Sequence, residues 1–433
     1  MSFDIWIVAV CFVMYISAFF FGVRFLGLTS MLVMFILWVS NVLDFSAAFG
    51  SLADDTALTY IGIFIISTAL TKTDFFDRLG GIVIKRAKTE FQFVIGLCAL
   101  TALLSFFMEG PLIVVSAGPA VIDMCVRMNI SPKRVMKPMN DIYCLYGSLL
   151  PLGGAATIYM VANRLIESYG GTPVLTLWTI PLANLPIAII ATGFILFSYK
   201  RMPADWDGVQ TEDIEAYSAK NKLTSISKRV QKPYQQTVIY SVYIFVMAGI
   251  FSSKWTNLEI PIFTTIGAAI IVLSGAMTEK EAAGAIRTPM IALYAASIAL
   301  ANGLKASGGL EIIGAFLNKT LAGATNPYII GGAVFLSAMV MTQFVSNSIT
   351  KQLVRAVIIP MSLMLGWNVK GLFVLGFLGS NFAILTPMGS ETSTMITALV
   401  GYKIKDYLKQ GLFIFIIVLV SGSLIVPLIY PVF

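Results

Sequence analysis

Histidine is missing altogether from the 433 residues. With it go the side chain that best carries a proton near neutral pH and the commonest metal ligand, which argues against a zinc hydrolase or a haem protein. Charge is scarce as well. Asp, Glu, Lys and Arg make up 12% of the chain and hydrophobic residues 58%, whereas a soluble domain carries about 25% charge. The four cysteines, Cys11, Cys98, Cys125 and Cys144, fall in or beside apolar segments without a CxxC pair. They form neither a disulfide framework nor a metal motif. There is no P-loop, which disfavours an ATP-driven pump. No basic segment or small-residue cleavage site precedes the first apolar run, so no cleaved signal peptide is expected.

What remains is a succession of long apolar runs, the signature of an all-α polytopic membrane protein. They occupy 5–22, 26–49, 58–70, 139–167, 174–197, 237–251, 260–277, 288–304, 372–400 and 412–432. That predicts about ten transmembrane helices. Residues 71–88 and 306–321 read as amphipathic stretches, the first a helix lying in the interface. Two runs are broken by Pro and Gly, at Pro151-Leu152-Gly153-Gly154 and at Pro387-Met388-Gly389-Ser390, where a helix loses backbone hydrogen bonds.

Residues 341–355 are the exception to this pattern. Two apolar runs, each too short to span a bilayer, flank the sequence MTQFVSNSITKQLVR. Its polar groups cannot sit in hydrocarbon, so the stretch is expected to form a re-entrant hairpin turning at Ser346-Asn347-Ser348. Irregular backbone at that depth is tolerated only where it is buried or lines a watery cavity, which makes the tip a candidate binding site.

The plan repeats. Residues 104–110 align with 341–347 and 151–154 with 387–390, at offsets of 237 and 236. The expected organisation is an N-terminal helix over 1–25, a first repeat over 26–198 with a hairpin at about 90–127, a linker over 199–236, and a second repeat over 237–433 with a hairpin at about 326–366. With both hairpins re-entrant, 22 of the 29 Lys and Arg residues fall on one side. By the positive-inside rule that side is cytoplasmic. The repeats are then inverted and both termini outside. The net charge of +7 follows from this topology without nucleic acid. Lys137 and Asp141, four residues apart, read as an interfacial ion pair, as do Asp123 and Arg127.

Inverted repeats with paired hairpins and broken helices form a transporter layout, with substrate and ions near the midplane. The run Thr342-Gln343-Phe344-Val345-Ser346-Asn347-Ser348-Ile349-Thr350 resembles the second Ser-Asn-Thr hairpin of the divalent anion/sodium symporters. Residues 73–163 resemble that family's first half. The resemblance implies a sodium site at Thr342, Val345, Asn347 and Gly389. It also implies a substrate carboxylate on Ser346, Asn347 and Ser348, and a homodimer.

The first site departs from the family. Glu109-Gly110-Pro111 replaces its Ser-Asn-Thr, while Ser105 is retained at the position of a sodium-liganding serine. A first ion site built from Ser105, Gly153 and Glu109 is one reading, and its replacement by a titrating carboxylate is another. Glu109, Gly110, Thr350 and Lys351 join the candidate substrate contacts. Lys351 and Arg355, one turn apart, are candidates to counter an anion, or alternatively to neutralise Glu109 or reach the interface.

The expected function is secondary active transport of a small anion, a di- or tricarboxylate, coupled to Na⁺ or H⁺ by elevator-type alternating access. The expected location is a prokaryotic cytoplasmic membrane, and no cofactor or enzymatic activity is expected. A sodium/proton antiporter or an inorganic anion permease on the same scaffold is the alternative. An intramembrane enzyme ranks below both.

Overall fold

The computed structural model describes residues 3–21, 26–74, 87, 89–107, 110, 113–114, 118, 121–122, 125, 128–150, 157–202, 232–256, 258–286, 288–309, 326–344, 346–387 and 389–433. Most of both amphipathic stretches, most of the linker, and Asp123 and Arg127 lie outside that set.

Among the described residues all regular structure is helical. The first half comprises α1 (Phe3–Phe21), α2 (Leu26–Val39), α3 (Phe45–Phe49), α4 (Asp55–Thr71), α5 (Glu90–Leu104), α6 (Lys133–Tyr146), α7 (Ile158–Ser168) and α8 (Thr179–Ser198). The second comprises α9 (Pro233–Thr256), α10 (Ile260–Leu273), α11 (Glu279–Ala285), α12 (Thr288–Ala306), α13 (Pro327–Phe344), α14 (Asn347–Met364), α15 (Val369–Gly379), α16 (Glu391–Val400) and α17 (Ile404–Ile429). Phe45–Leu70, Thr179–Arg201, Pro233–Ser253, Pro327–Phe344 and Ile404–Ile429 are long and apolar enough to cross a membrane, and shorter apolar helices accompany them. The chain is an integral membrane protein.

The apolar run over 26–49 is not one helix. It stops at Val39, Asn41 takes a φ of 59°, and Asp44 starts α3 by accepting the Ala47 N–H at 2.6 Å. Asn tolerates this left-handed conformation better than most residues, and the Asp side chain satisfies an amide that the new helix leaves orphaned.

The halves pack by exchange. Helix α4 lies along α10 and α2 along α12, while α1 flanks α2 and α9 flanks α10. Gly62 of α4 meets α10 so closely that a β-carbon there would stand 2.6 Å from Thr264 Cβ. Small residues allow such approach where lipid supplies no hydrophobic drive. The buried apolar side chains form two clusters. The smaller joins α1, α2, α3 and α12 to Ile349 and Leu353 of α14, and the larger holds most of the other helices.

Helix α11 lies in the loop between α10 and α12 and is fixed by its own chemistry. Thr278 and Glu281 cap each other's backbone amides, and Glu281 pairs with Lys72 at the end of α4 at 2.8 Å. The Lys72 hydrogen bond, then the Thr278 amide, hold the Glu281 carboxyl down at about 2. A depressed folded pKa gives stability that is present above the unfolded value near 4.5 and lost as pH falls toward 2. The pair is partly open to water, so Glu281→Gln is expected to cost only about 1 kcal/mol at pH 7. Thermal unfolding of both proteins should converge on acidification. A difference that persists unchanged at pH 3 overturns the assignment.

Candidate functional site

The second hairpin turns where the sequence placed its polar tip. Helix α13 ends at Phe344, and Ser346 opens α14 with its hydroxyl accepting the Ile349 N–H at 3.4 Å. Val345 lies outside the described residues. The tip meets the break between α15 and α16. That break starts at Ser380, several residues before the expected Pro387, and runs to Ser390, which caps α16 by accepting the Ser393 N–H at 3.0 Å.

Residues expected to form an ion site converge here. The Asn347 N–H donates to the Gly389 carbonyl at 3.0 Å, and Asn347 Nδ2 donates to the Asn381 carbonyl at 3.2 Å. The Thr342 hydroxyl lies 2.6 Å from Asn347 Oδ1 and 3.0 Å from the Ser380 carbonyl. A hydroxyl has one proton, so it cannot satisfy both oxygens. Gly389 is required by closeness, since a β-carbon there would overlap the Thr342 carbonyl oxygen. Hydroxyl, amide and freed carbonyl oxygens at a helix break are the donor set that holds Na⁺ in broken-helix transporters.

Sequence reasoning missed the clamp that holds this geometry. The buried Gln343 donates Nε2 to the Met339 carbonyl at 2.6 Å and to the Phe382 carbonyl at 2.7 Å. Its Oε1 accepts the Leu385 N–H at 2.8 Å, and the Thr386 hydroxyl donates to its backbone carbonyl. One side chain thus takes up backbone groups that unwinding leaves unpaired. A glutamine one residue past the candidate sodium ligand was the available signal.

The remaining tip residues differ in placement. Ser348 is exposed. Thr350 is fully buried, and its hydroxyl donates to the Ser346 carbonyl at 3.2 Å within its own turn. Lys351 is half-buried, with Nζ 5.3 Å from the ring centre of Phe377.

On the first side, Glu109 and Gly153 lie outside the described residues. Ser105 is buried and donates to the Ala102 carbonyl at 2.7 Å. Gly110 is pressed between Tyr143 of α6 and Thr392 of α16, where a β-carbon would overlap Thr392 Oγ1. Gly110 therefore lies against the helix that follows the second break.

A second link is polar. Ser393 Oγ lies 3.2 Å from Asn140 Oδ1, and Tyr407 donates its hydroxyl to the Ser393 carbonyl at 2.9 Å. Beside Asn140, Lys137 pairs with Asp141, and the Lys137 ammonium stands 5.1 Å from the Tyr407 ring centre. This pair is not interfacial as expected from its spacing. Both side chains are wholly inaccessible, because α6 turns that face toward α16 and α17.

Comparison with known proteins gives a consistent picture. Residues 12–375 match the family described as citrate transporters. The sodium-dependent dicarboxylate transporter SdcS of Staphylococcus saprophyticus is 20% identical over 432 residues, covering 93% of this chain and 82% of that protein. An uncharacterised transporter of Synechocystis is 30% identical over 176 residues, 40% of this chain but only 28% of its own length. Among solved structures, the YdaH transporter of Alcanivorax borkumensis superimposes with a TM-score of 0.61 at 12% identity, over 92% of this chain and 88% of its own. MtrF of Neisseria gonorrhoeae, described as an antimetabolite efflux pump, gives 0.54 at 10% identity over 98% and 95%.

Proposed function

Because this chain belongs to the citrate transporter family, we propose that it is a secondary active transporter of a small di- or tricarboxylate, coupled to Na⁺. The observation that carries the reading is the oxygen cluster of Thr342, Asn347 and Ser380, held where the hairpin tip crosses the helix break. The cation binds there, and Ser346, Asn347 and Ser348 offer an adjoining carboxylate a hydroxyl, an amide and a helix N-terminus. Binding of one ion charge-compensates the other, which couples them. The sodium-dependent dicarboxylate transporters related to this chain support the choice of ion and substrate class.

Alternating access is of the elevator type in this reading. Two apolar clusters meeting along α12 and α14 supply a boundary across which one group of helices slides past another. The exchanged pairings of α4 with α10 and α2 with α12 support an inverted duplication, with α1 as the counterpart of α9. In this reading α1 is counted with the first repeat, ahead of residue 26.

Uptake into proteoliposomes of the purified chain, measured for malonate, succinate and citrate with and without a Na⁺ gradient, tests this. At least one of them should accumulate only with Na⁺. Ion movement that depends on Na⁺ and pH, while no carboxylate is taken up or competes, would favour the antiporter and sink the proposal.

A further inference from the structure

Arg355 is a buried cation incompletely matched among the described residues. It lies eight residues past Asn347 in the middle of α14, with 5% of its surface exposed. Nη1 donates to Gln352 Oε1 at 3.3 Å, and the guanidinium stands 5.9 Å from the Phe377 ring centre. Among the described residues the buried Nε has no hydrogen-bond partner. Among the described residues no carboxylate lies within ion-pair distance of it. A guanidinium stays protonated and carries five donors in a rigid fork. Leaving such a charge buried without a counter-charge is costly.

Its surroundings indicate what the counter-charge is. Ser348, Lys351, Gln352 and Arg355 fall at i, i+3, i+4 and i+7, so they share one stripe of α14. Exposure falls along it, from the open Ser348 through the half-buried Lys351 to the buried Gln352 and Arg355. Lys351 and Arg355 both face the Phe377 ring. Flanking the stripe, Ile349 and Leu353 join the cluster of α1, α2 and α12, and Val354 and Ile358 pack on Gly376 of α15.

The spacing suits a substrate with two charged ends. Asn347 and Arg355 are about 12 Å apart along the axis at about 1.5 Å per residue. Helical side chains lean back by roughly one turn, about 5 Å, as the Arg355 contact with Gln352 shows. That leaves about 7 Å between the tip and the guanidinium by the same helical geometry. The carboxylates of a four-carbon chain lie about 4–6 Å apart, from three C–C bonds of about 1.5 Å plus the carboxyl oxygens.

The geometry points to Arg355 as the residue that receives the distal carboxylate of a substrate whose first carboxylate sits at the Ser346-Asn347-Ser348 tip, and so sets the preference for di- over monocarboxylates. This rests on the transport reading above. The planar fork engages a carboxylate bidentately, and Gln352 positions it.

Thermal-shift titration of the purified full chain with succinate and with butyrate, which has the same carbon count and one carboxylate, tests the assignment. Wild type should bind succinate at least about ten-fold more tightly. Arg355→Gln should weaken succinate binding about 10- to 100-fold, the range for hydrogen bonds to a charged group, and leave butyrate unchanged. Arg355→Lys should fall between. A malonate, succinate, glutarate and adipate series on wild type needs no variant and should peak at four or five carbons. A preference for succinate that survives Arg355→Gln, or an affinity that does not depend on chain length, overturns the role of Arg355 alone. Wild type that binds no carboxylate overturns the transport reading, and this assignment with it.

Discussion

Asp141→Ala is expected to cost about 3–5 kcal/mol of stability, because it leaves the Lys137 ammonium unpaired in the interior. Neither side chain of the pair has accessible surface. The aromatic face of Tyr407, 5.1 Å from Nζ, compensates only part of the loss, since a cation–π contact contributes about 2 kcal/mol when desolvated. Lys137→Ala should be as damaging, for the mirror reason that it strands a carboxylate. The double substitution Lys137→Met with Asp141→Leu removes both charges at similar volume and should recover most of the stability. Thermal unfolding in detergent, read by size-exclusion monodispersity, separates the three. If the double variant is as unstable as the sum of the singles, the pair is not what holds α6 in place.

The second large effect is at the oxygen cluster. Thr342→Val keeps the shape of the side chain and removes its hydroxyl, which sits between Asn347 Oδ1 and the Ser380 carbonyl. Half-maximal uptake should then require at least about ten-fold more Na⁺, equivalent to about 1.4 kcal/mol. Asn347→Ala removes an oxygen of the proposed ion site together with the Nδ2 link to the Asn381 carbonyl, and should abolish Na⁺-dependent uptake. Gly389→Ala should do the same sterically, by forcing the Thr342 carbonyl away. Ser337→Ala is the control. Its hydroxyl lies on the exposed side of the same helix and donates to the Ala333 carbonyl within its own turn. Uptake by Thr342→Val with an unaltered Na⁺ dependence would remove this cluster from the coupling mechanism.

Much of the candidate site was legible because polar residues in an apolar run have few places to go. Ser346 and Asn347 could be assigned to a hairpin tip on that ground alone. The start of the second break could not. Residues 380–386 contain no Gly and Pro arrives only at 387, so the segment reads as helix. It unwinds because Gln343, from another helix, takes the Phe382 carbonyl and the Leu385 amide. Local pattern has no access to that exchange. Depth is equally hidden. Lys137 and Asp141 have the spacing of a solvated surface pair, and only the packing of α6 against α16 shows that they are enclosed. Asn140 passed unnoticed for the same reason, since its meaning lies in Ser393, 253 residues away.

The exchanged packing of the halves bears on how the chain is made. Helix α4 (Asp55–Thr71) finds its main partner in α10 (Ile260–Leu273), and α2 (Leu26–Val39) in α12 (Thr288–Ala306), about 200 and about 260 residues later in synthesis. At about 5–20 residues per second, the ribosome needs about 10 to 50 s to deliver them. Until then Gly62 and the neighbouring face of α4 are covered by lipid or by whatever attends membrane insertion. The first half therefore reaches its native packing only when the second arrives, and a chain stalled in the central linker leaves an unfinished fold in the bilayer for quality control to recognise.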